Sequence, residues 1–255
     1  MIKKIFLVSD NDAYNYLFDF LGRDYINKKL IEKGFNNVQI SHRLSIAEAS
    51  NPKIKSIVFK INDSTFVNQE SILDSEIKVL ELNRIKKGKG YFKDGDLVNE
   101  PMDFSKKNNL PISSLHDMMK RIQFPNNYDN KEQFNLNEED YKFLLSTMKI
   151  VPRELGYNET DYYDGYVKFF ILGDTKKRVP NYLEISNKVG YAYGYLTDCA
   201  YIEDTKHDIS FFLTATIHVN KDDIFNDDVY EYEDIGIPFL AELGRQIHAY
   251  YLEKD

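Results

Sequence analysis

The sequence has little cysteine, no tryptophan and no apolar run long enough to cross a membrane. Its one cysteine, Cys199, excludes an internal disulfide and a cysteine-built zinc site. Cys199 lies in an apolar, strand-like run, which favours a buried small hydrophobic residue over a reactive thiol. The compartment does not follow from this, because many exported proteins also lack disulfides.

A surplus of positive charge is missing as well. The net charge is −8, from 33 basic and 41 acidic residues, whereas a nucleic-acid-binding protein should present a basic face. The one basic run, Arg84 to Lys89, is short and interrupted by glycine, so it indicates a solvated loop. We therefore expect no nucleic-acid partner. The hydrophobic content of 42% is sufficient for a packed core.

The first residues, MIKKIFLVSDN, share one feature with a signal peptide, since two lysines precede apolar residues. The apolar stretch is too short, however, and no small-residue cleavage site follows it. We expect the chain as written to carry no export signal.

Helical periodicity of apolar residues marks several segments of the chain. These are residues 12–34, where Gly22 separates two helices, and residues 110–124, 136–148, 162–170 and 234–254. Asn137 is a plausible N-cap for the third segment. In residues 162–170 the aromatic density also leaves a strand possible.

Apolar residues alternate with period two from Val189 to Leu196 and from Phe211 to Val219. The loop at residues 206–208 between these runs suggests an antiparallel pair. Residues 90–101 predict a small hairpin around Asp94-Gly95-Asp96. The rest of residues 42–110 has a weak pattern, and we interpret it as a long, irregular surface insertion. The predicted class is α+β, with a mainly helical region over 1–180 and antiparallel strands plus a closing helix over 181–255.

Two short motifs contain residue types that carry chemistry. Ser9-Asp10-Asn11 precedes a predicted helix, and taken alone this triplet is more simply a helix cap. Lys188-Val189-Gly190 stands at the head of a predicted strand, where a lysine beside a glycine suits close approach of an anionic ligand. Taken alone, Gly190 is also explained by turn geometry.

Together with their flanks, the two motifs resemble a known family. VSDNDAYNYLFDFLGRDYINKKLIEKGF resembles the Ser-Asp-Asn box and following helices of class A β-lactamases. NKVGYAYGYLTDCAYIED, FFLTATIHVNK and IPFLAELGRQIHAYY resemble that family's Lys-Thr-Gly strand, its next two strands and its C-terminal helix, in order. The resemblance is specific at both ends and loose between residues 42 and 110. It implies a β-lactamase/transpeptidase-like fold, with the C-terminal helix packed on the sheet.

The resemblance also implies roles for individual residues. Ser9 would pass a proton to the leaving nitrogen, and Asn11 would hold the substrate's amide oxygen and the catalytic lysine. Lys188 would supply positive potential for the substrate carboxylate and keep Ser9 poised. Gly190 would let the substrate approach the strand, and the backbone N–H of Tyr191 would form half of the oxyanion hole.

In this family the nucleophile lies on a Ser-X-X-Lys helix that precedes the Ser-Asp-Asn box. Here the box begins at residue 9, so we expect that helix and the first strands of the sheet to be missing. Two Ser-X-X-Lys strings follow the box, beginning at Ser75 and Ser146, and we interpret both as coincidence. The expected consequence is a chain that is inactive by itself.

Two further departures concern substrate handling. Val189 stands where the family has a hydroxyl residue, which removes one donor to a substrate carboxylate. A glutamate that could activate a deacylating water is not identifiable, since Glu81-Leu82-Asn83 has Val79 where that glutamate should stand. These features fit a penicillin-binding transpeptidase or carboxypeptidase better than a β-lactamase.

The histidines are scattered without metal-ligand spacing, and we interpret them as structural or surface residues. They are His42, His116, His207, His218 and His248.

The sequence therefore predicts a serine hydrolase of the β-lactamase type that transfers acyl groups from β-lactams or cell-wall peptides. The main alternative is a catalytically dead module that keeps the ligand cleft for binding, and a third hypothesis is an unrelated hydrolase that uses Ser75 or Ser146. No metal or organic cofactor is implied. The full-length parent is expected in the periplasm or otherwise exported.

Overall fold

Five of the α-helices begin close to the residues that periodicity predicts, whereas the helix over residues 2–7 was not predicted. The computed structural model describes residues 1–62 and 64–254. Its α-helices are α1 (Ile2–Leu7), α2 (Asn11–Leu21), α3 (Arg23–Glu32), α4 (Ile112–Gln123), α5 (Glu138–Lys149), α6 (Phe169–Leu172) and α7 (Ile237–Leu252). The predicted division at Gly22 is confirmed, and this residue has a φ of 75° that favours glycine. No helix within the described part of the chain combines the length and apolar character of a membrane span.

Side-chain caps fix where two of these helices begin. The Asp10 carboxylate accepts a hydrogen bond from the Ala13 N–H at 2.8 Å and starts α2. Asn137 accepts from the Asp140 N–H at 2.8 Å and starts α5, as predicted. The capping interpretation of the Ser9-Asp10-Asn11 triplet is therefore confirmed for its aspartate.

The main sheet is antiparallel and has the strand order β11-β10-β9. Its strands are β9 (Leu183–Ala192), β10 (Tyr195–Asp204) and β11 (Ile209–His218). The expectation that Val189 to Leu196 forms one strand is wrong, because the chain reverses at Tyr193 and Gly194. Both turn residues have positive φ, 54° and 76°, as a two-residue type I′ hairpin requires. Because the alternating tyrosines continue through this turn, the apolar pattern in the sequence does not reveal it.

Helices cover both faces of this sheet. On the core face, side chains such as Ile185, Ala200 and Phe211 pack with Leu240 of α7 and Phe170 of α6. The predicted packing of the C-terminal helix on the sheet is therefore confirmed, and so is the α+β class.

The opposite face, which we call the site face, carries Lys188, Cys199 and Thr214, which lie side by side across the three strands. Helices α4 and α5 cover it through Met119 and Met148. Phe6 of α1 packs against the same cluster.

Residues 42–110 contain more regular structure than the predicted irregular insertion. Short strands occur there: β1 (Lys53–Ile54), β2 (Ile57–Ile61), β3 (Ser64–Gln69), β4 (Ile72–Leu73), β5 (Lys86–Lys87), β6 (Gly90–Lys93), β7 (Asp96–Val98) and β8 (Met102–Asp103). The predicted hairpin is confirmed as β6 and β7, and β12 (Ile224–Phe225) pairs parallel with β6. The other strands escaped prediction because most are only two residues long.

The helix expected over residues 162–170 forms only in part. A 3₁₀ turn spans Asp164–Val167, and α6 follows it, with Ile171 at a φ of 69°. The helix is interrupted where the backbone leaves the helical region, at Lys168 (φ −126°, ψ 74°) and Phe170 (ψ 137°). Asp164 is paired with Arg153, with Nε–Oδ1 at 2.9 Å, and Gly165 lies so close to the Leu172 carbonyl that a Cβ would clash with it.

Candidate active site

Ser9 lies in the tight connection between α1 and α2. Its φ of 51° is in the left-handed region, which is uncommon for a residue with a side chain. Because Phe6 anchors α1 to the site face and Asp10 caps α2, the position of Ser9 is fixed from both sides. The side chain is half-buried.

Lys188 meets Ser9 across the site face. Its Nζ donates to the Ser9 Oγ at 3.1 Å and also to the Val189 carbonyl oxygen. Burial lowers the pKa of Lys188 to about 8, while the charge of Asp198 opposes this shift. The structure thus brings together two residues that lie 179 positions apart in the sequence.

Asn11 follows Ser9 by two residues and lies on the first turn of α2. Its Nδ2 donates to the Ser45 Oγ at 3.0 Å, and the side chain is exposed. Ser45 has a φ of 53° and lines a cleft of about 610 Å³ together with Tyr191 and Tyr232. Sequence reasoning missed Ser45, since a lone serine in a weakly patterned segment gives no signal.

Gly190 and Tyr191 lie near the end of β9, next to the turn into β10. A Cβ added to Gly190 would meet no atom within 4 Å, so this glycine leaves open space next to Lys188 on the site face. Tyr191 is 59% exposed. Val189, by contrast, is buried in the core, so its side chain lies on the face of the sheet opposite to Lys188.

The backbone of β9 exposes hydrogen-bonding groups along its outer edge. This strand lies at the edge of the three-stranded sheet. The carbonyl of Ile185 accepts from Lys168, and that of Val189 accepts from Lys188, so these odd-numbered residues point away from β10. Because backbone groups alternate sides along an antiparallel strand, the Tyr191 N–H points outward too.

Behind the pair lies a buried polar network that the sequence did not reveal. Lys168 is 2% exposed, and its Nζ donates to the Met148 and Ile185 carbonyls and to the Asn187 Oδ1 at 2.6–2.8 Å. Asn187 in turn donates to the Asp198 carboxylate at 2.8 Å. Burial lowers the pKa of Lys168 to about 7 and raises that of Asp198 to about 6. The sequence could not reveal these hydrogen bonds, because a single lysine or aspartate in an apolar run does not indicate its partners.

Neither Ser-X-X-Lys string forms a serine–lysine pair. Ser75 lies outside a helix, and its Oγ donates to the Asp24 carboxylate at 2.8 Å. Ser146 is exposed on α5 and donates to the Phe143 carbonyl of its own helix. Lys149, the lysine of this second string, pairs instead with Glu184 and Glu203. The interpretation of both strings as coincidence agrees with these contacts.

Three of the histidines and the cysteine make structural contacts in this fold. His207 Nδ1 and His248 Nε2 each lie 2.8 Å from the same Asp204 carboxylate oxygen, and His116 bonds Thr214. Burial raises the pKa of the Cys199 thiol to about 11, which makes it unreactive. Over residues 1–62 and 64–254, histidine, cysteine and carboxylate side chains form no group able to hold a metal ion.

Comparison with known proteins finds a family match in the N-terminal part of the chain. Residues 1–72, which include the Ser-Asp-Asn box, α2 and α3, match the family model described as the Beta-lactamase enzyme family. The resemblance to the class A β-lactamase-type serine hydrolases is thus confirmed, and it rests on this segment. No curated protein matches the sequence significantly.

Among solved structures, the chain is similar to a β-lactamase from Burkholderia ambifaria. The sequence identity is 12% and the TM-score is 0.49, with 98% of this chain and 64% of that chain covered. The chain thus spans less than two thirds of that β-lactamase. A similarity at this level supports no argument about activity.

Proposed function

We propose that this chain binds β-lactams or cell-wall peptides and takes part in acyl transfer through a serine ester. The observation that carries the proposal is the Ser9–Lys188 hydrogen bond of 3.1 Å beside the open edge of β9. A hydroxyl next to a lysine of lowered pKa can move a proton to or from a leaving nitrogen. An outward backbone N–H can hold the developing negative charge of a carbonyl oxygen.

Each residue has a defined part in this proposal. Lys188 attracts the substrate carboxylate and orders the Ser9 hydroxyl, which moves the proton. The Asn11 amide holds the substrate's amide oxygen in place of its present partner, Ser45. Gly190 leaves room for the substrate backbone, and the Tyr191 N–H binds the carbonyl oxygen. Serine, lysine and amide groups suffice for this chemistry, so we propose no metal or organic cofactor.

Ligand-binding without turnover is the second candidate. It is favoured by the contacts of Ser75 and Ser146, neither of which meets a lysine. Such a module would keep Lys188, Gly190 and the cleft, and would release its ligand unchanged. Because cell-wall peptides lie outside the cytoplasm, both candidates place the full protein in the periplasm or otherwise outside the membrane.

The test is isothermal titration calorimetry of the purified chain with benzylpenicillin and with an acylated D-alanyl-D-alanine peptide. We expect saturable binding that Lys188→Gln weakens about tenfold or more, because a charge-assisted hydrogen bond contributes about 1.5–3 kcal/mol. Lys149→Gln is the matched control, since it removes the same charge from a pair with Glu184 and Glu203 at the other end of β9.

Two outcomes would contradict the proposal: a folded chain that binds neither compound, or equal loss of affinity in both lysine variants. Analysis of the recovered compounds separates the two candidates. An opened β-lactam ring or a cleaved peptide indicates acyl transfer, and an unchanged compound indicates the binding module.

A further inference from the structure

A second cleft, of about 590 Å³, lies on the site face, and the proposed function does not use it. Thr197 and Thr216 form part of its floor, in the row across the strands that begins at Gly190. Lys107 and Tyr193 line both this cleft and the one of about 610 Å³ described above, so the two adjoin. The second cleft therefore continues the open surface at Gly190.

The side chains of β9 lead from the candidate active site into this cleft. Lys188, Gly190 and Ala192 share one face of the strand, because successive side chains alternate between faces. Ala192 lines the cleft and follows Lys188 by four residues, which is about 13 Å at roughly 3.3 Å per residue. The path between them is open, since an added Cβ at Gly190 would meet no atom within 4 Å. A substrate held at Lys188 can thus extend over Gly190 into the cleft.

The charges that line the second cleft are positive. They belong to Arg84, Lys87 and Lys107, and the first two come from the basic run of residues 84–89. Within residues 1–62 and 64–254, no aspartate or glutamate lines this cleft and none of the three cations forms a salt bridge. Asp228 lines only the adjoining cleft. In a chain of net charge −8 this surface, which we call the cationic cleft, favours anions.

Tyrosine side chains hold two of these cations at the turn between β9 and β10. The Lys107 Nζ donates to the Tyr193 hydroxyl at 2.9 Å, and the Lys87 Nζ lies 5.7 Å from the centre of the Tyr195 ring. Both lysines are half-buried. Burial lowers the pKa of His42, which also lines the cleft, and the charge of Lys107 lowers it further, so this histidine is neutral at pH 7. The two lysines therefore supply positive charge at a fixed place.

The rest of the cationic cleft is largely apolar. Leu80 and Leu115 lie in its wall, and Leu82, Leu110 and Ile112 are exposed there. Small-molecule sites typically combine an apolar wall with a few charged groups. The combination favours a ligand with an apolar body and an anionic group, because the body covers the exposed side chains while the anion meets the lysines.

We propose, on the basis of the function proposed above, that the cationic cleft binds an anionic group on the acyl side chain of the substrate. The substrate class is then an acyl donor with two negative charges, one attracted by Lys188 and one beyond Gly190. Lys107 lies where the two clefts adjoin and contributes most to this specificity, and Lys87 adds to it. The cleft selects the substrate by binding and takes no part in a covalent step.

Three penicillins that differ in charge at one carbon test this specificity. On the carbon between the phenyl ring and the amide, carbenicillin carries a carboxylate, benzylpenicillin a hydrogen and ampicillin an ammonium group. Isothermal titration calorimetry of the full chain at about pH 6.5 and about 0.15 M salt measures their dissociation constants, with the carboxylate ionised and the amine protonated. We expect carbenicillin to bind about tenfold more tightly than benzylpenicillin, and ampicillin to bind about threefold more weakly.

Lysine variants locate the preference. Lys107→Gln should reduce the advantage of carbenicillin over benzylpenicillin to about twofold and leave the affinity for benzylpenicillin nearly unchanged. Lys87→Gln should reduce it less, and the double variant should abolish it. The matched controls are Lys106→Gln and Lys86→Gln, since each is the exposed neighbour in sequence and lies outside the cleft. Both should keep the preference, and thermal unfolding checks that every variant is folded.

Equal affinity for the three penicillins, or tighter binding of ampicillin, would overturn this inference and leave the proposed function intact. So would a carbenicillin preference that persists in the folded double variant, or one that the control variants also lose. Binding of none of the three penicillins to a folded chain would overturn the proposed function as well.

Discussion

Lys188 and Lys168 both interact with one carboxylate, that of Asp198, from different directions. Lys168 is connected to this carboxylate by hydrogen bonds through the Asn187 amide. Lys188 interacts with it electrostatically, without a hydrogen bond between them. The carboxylate is fully buried, and each lysine pKa is lowered by its own burial. Asp198 therefore limits how far the two lysine pKa values fall.

The first prediction concerns the effect of the Asp198 charge on the pKa of Lys188. Asp198→Asn should lower the pKa of Lys188 below its value of about 8, because the substitution removes the negative charge that favours the ammonium form. NMR titration of a chain labelled at the lysine Nζ measures this directly and requires no activity. Asp174→Asn, which removes a remote carboxylate paired with Arg245, is the control. An unchanged Lys188 titration in a folded Asp198→Asn variant would show that the two groups do not interact.

The second prediction concerns Gly190. Gly190→Leu should leave the free energy of unfolding equal to that of the wild type or slightly higher, since the added side chain meets open space and glycine disfavours strands. The same side chain should fill the approach to Lys188 and abolish penicillin binding in calorimetry. Gly95→Leu, at a remote turn whose φ of 91° strains any side chain, should lower the free energy of unfolding but keep binding. Retained affinity in Gly190→Leu would show that substrates do not use this space.

The residues of the site differ in how far the sequence could reveal them. Ser9 and Lys188 were predicted from motifs in the two ends of the chain, because boxes of several residues keep a pattern. Lys168 and Asp198 could not be predicted, since each is a single polar residue in an apolar setting. Their partners are set by the packing of α5 and α6 against β9, which no local pattern encodes.

At the scale of elements, Asp204 fastens α7 to the end of the β10–β11 hairpin. One buried carboxylate oxygen accepts from His207 of the turn and from His248 of the helix. The backbone N–H groups of Lys206 and His207 donate to the other oxygen. Burial acts to raise the Asp204 pKa, but these hydrogen bonds outweigh it and leave the pKa below its ordinary value of 3.8.

The third prediction follows from the sign of that shift. A carboxylate whose pKa is lowered by folding stabilises the protein above its unfolded-state pKa, and this contribution is lost as the pH falls through the folded value. Asp204→Asn should therefore reduce the free energy of unfolding at pH 7 by about 2–3 kcal/mol, since it weakens several buried hydrogen bonds. Below pH 3.8 the difference in the free energy of unfolding between the variant and the wild type should become smaller. Urea titrations from neutral to acid pH measure the loss at pH 7 and its decrease at low pH. A difference that does not depend on pH would contradict the stabilising role of the ionised Asp204 carboxylate.

Secondary-structure elements could be predicted where the apolar pattern in the sequence extends over more than one helical turn. Helices α2, α3, α4, α5 and α7 each repeat their apolar spacing over two or more turns, and their bounds were close to those observed. The β9–β10 turn was missed because Tyr193-Gly194 lacks the usual asparagine-glycine signal. The strands at residues 53–54, 86–87 and 102–103 are too short for any periodicity.

At the scale of the whole molecule, the sheet lies between two helical layers, each with its own hydrophobic cluster. Leu240 of α7 is fully buried on the core face, and Met148 of α5 is 2% exposed on the site face. Each layer is in contact with the same three strands. Loss of packing on either side should therefore destabilise the whole unit.

The fourth prediction tests this. Leu240→Ala and Met148→Ala should each reduce the free energy of unfolding by about 2–5 kcal/mol, the cost of truncating a large buried side chain. Phe239→Ala, at a neighbouring position that is 47% exposed, should change it little. Circular dichroism and tyrosine fluorescence during urea unfolding should give coincident single transitions in all variants. Separate transitions in either core variant would show that the two layers unfold independently.

The contact between Ser9 and Lys188 closes a loop of 179 residues. Such a long-range contact forms only after most of the chain has been ordered, because closing a long loop costs conformational entropy that earlier contacts must offset. During synthesis Ser9 leaves the ribosome 179 residues before Lys188. Any proteolytic fragment that ends before β9 keeps the Ser9 hydroxyl and lacks the Lys188 amine, so the contact between them requires both ends of the segment from α1 to β9.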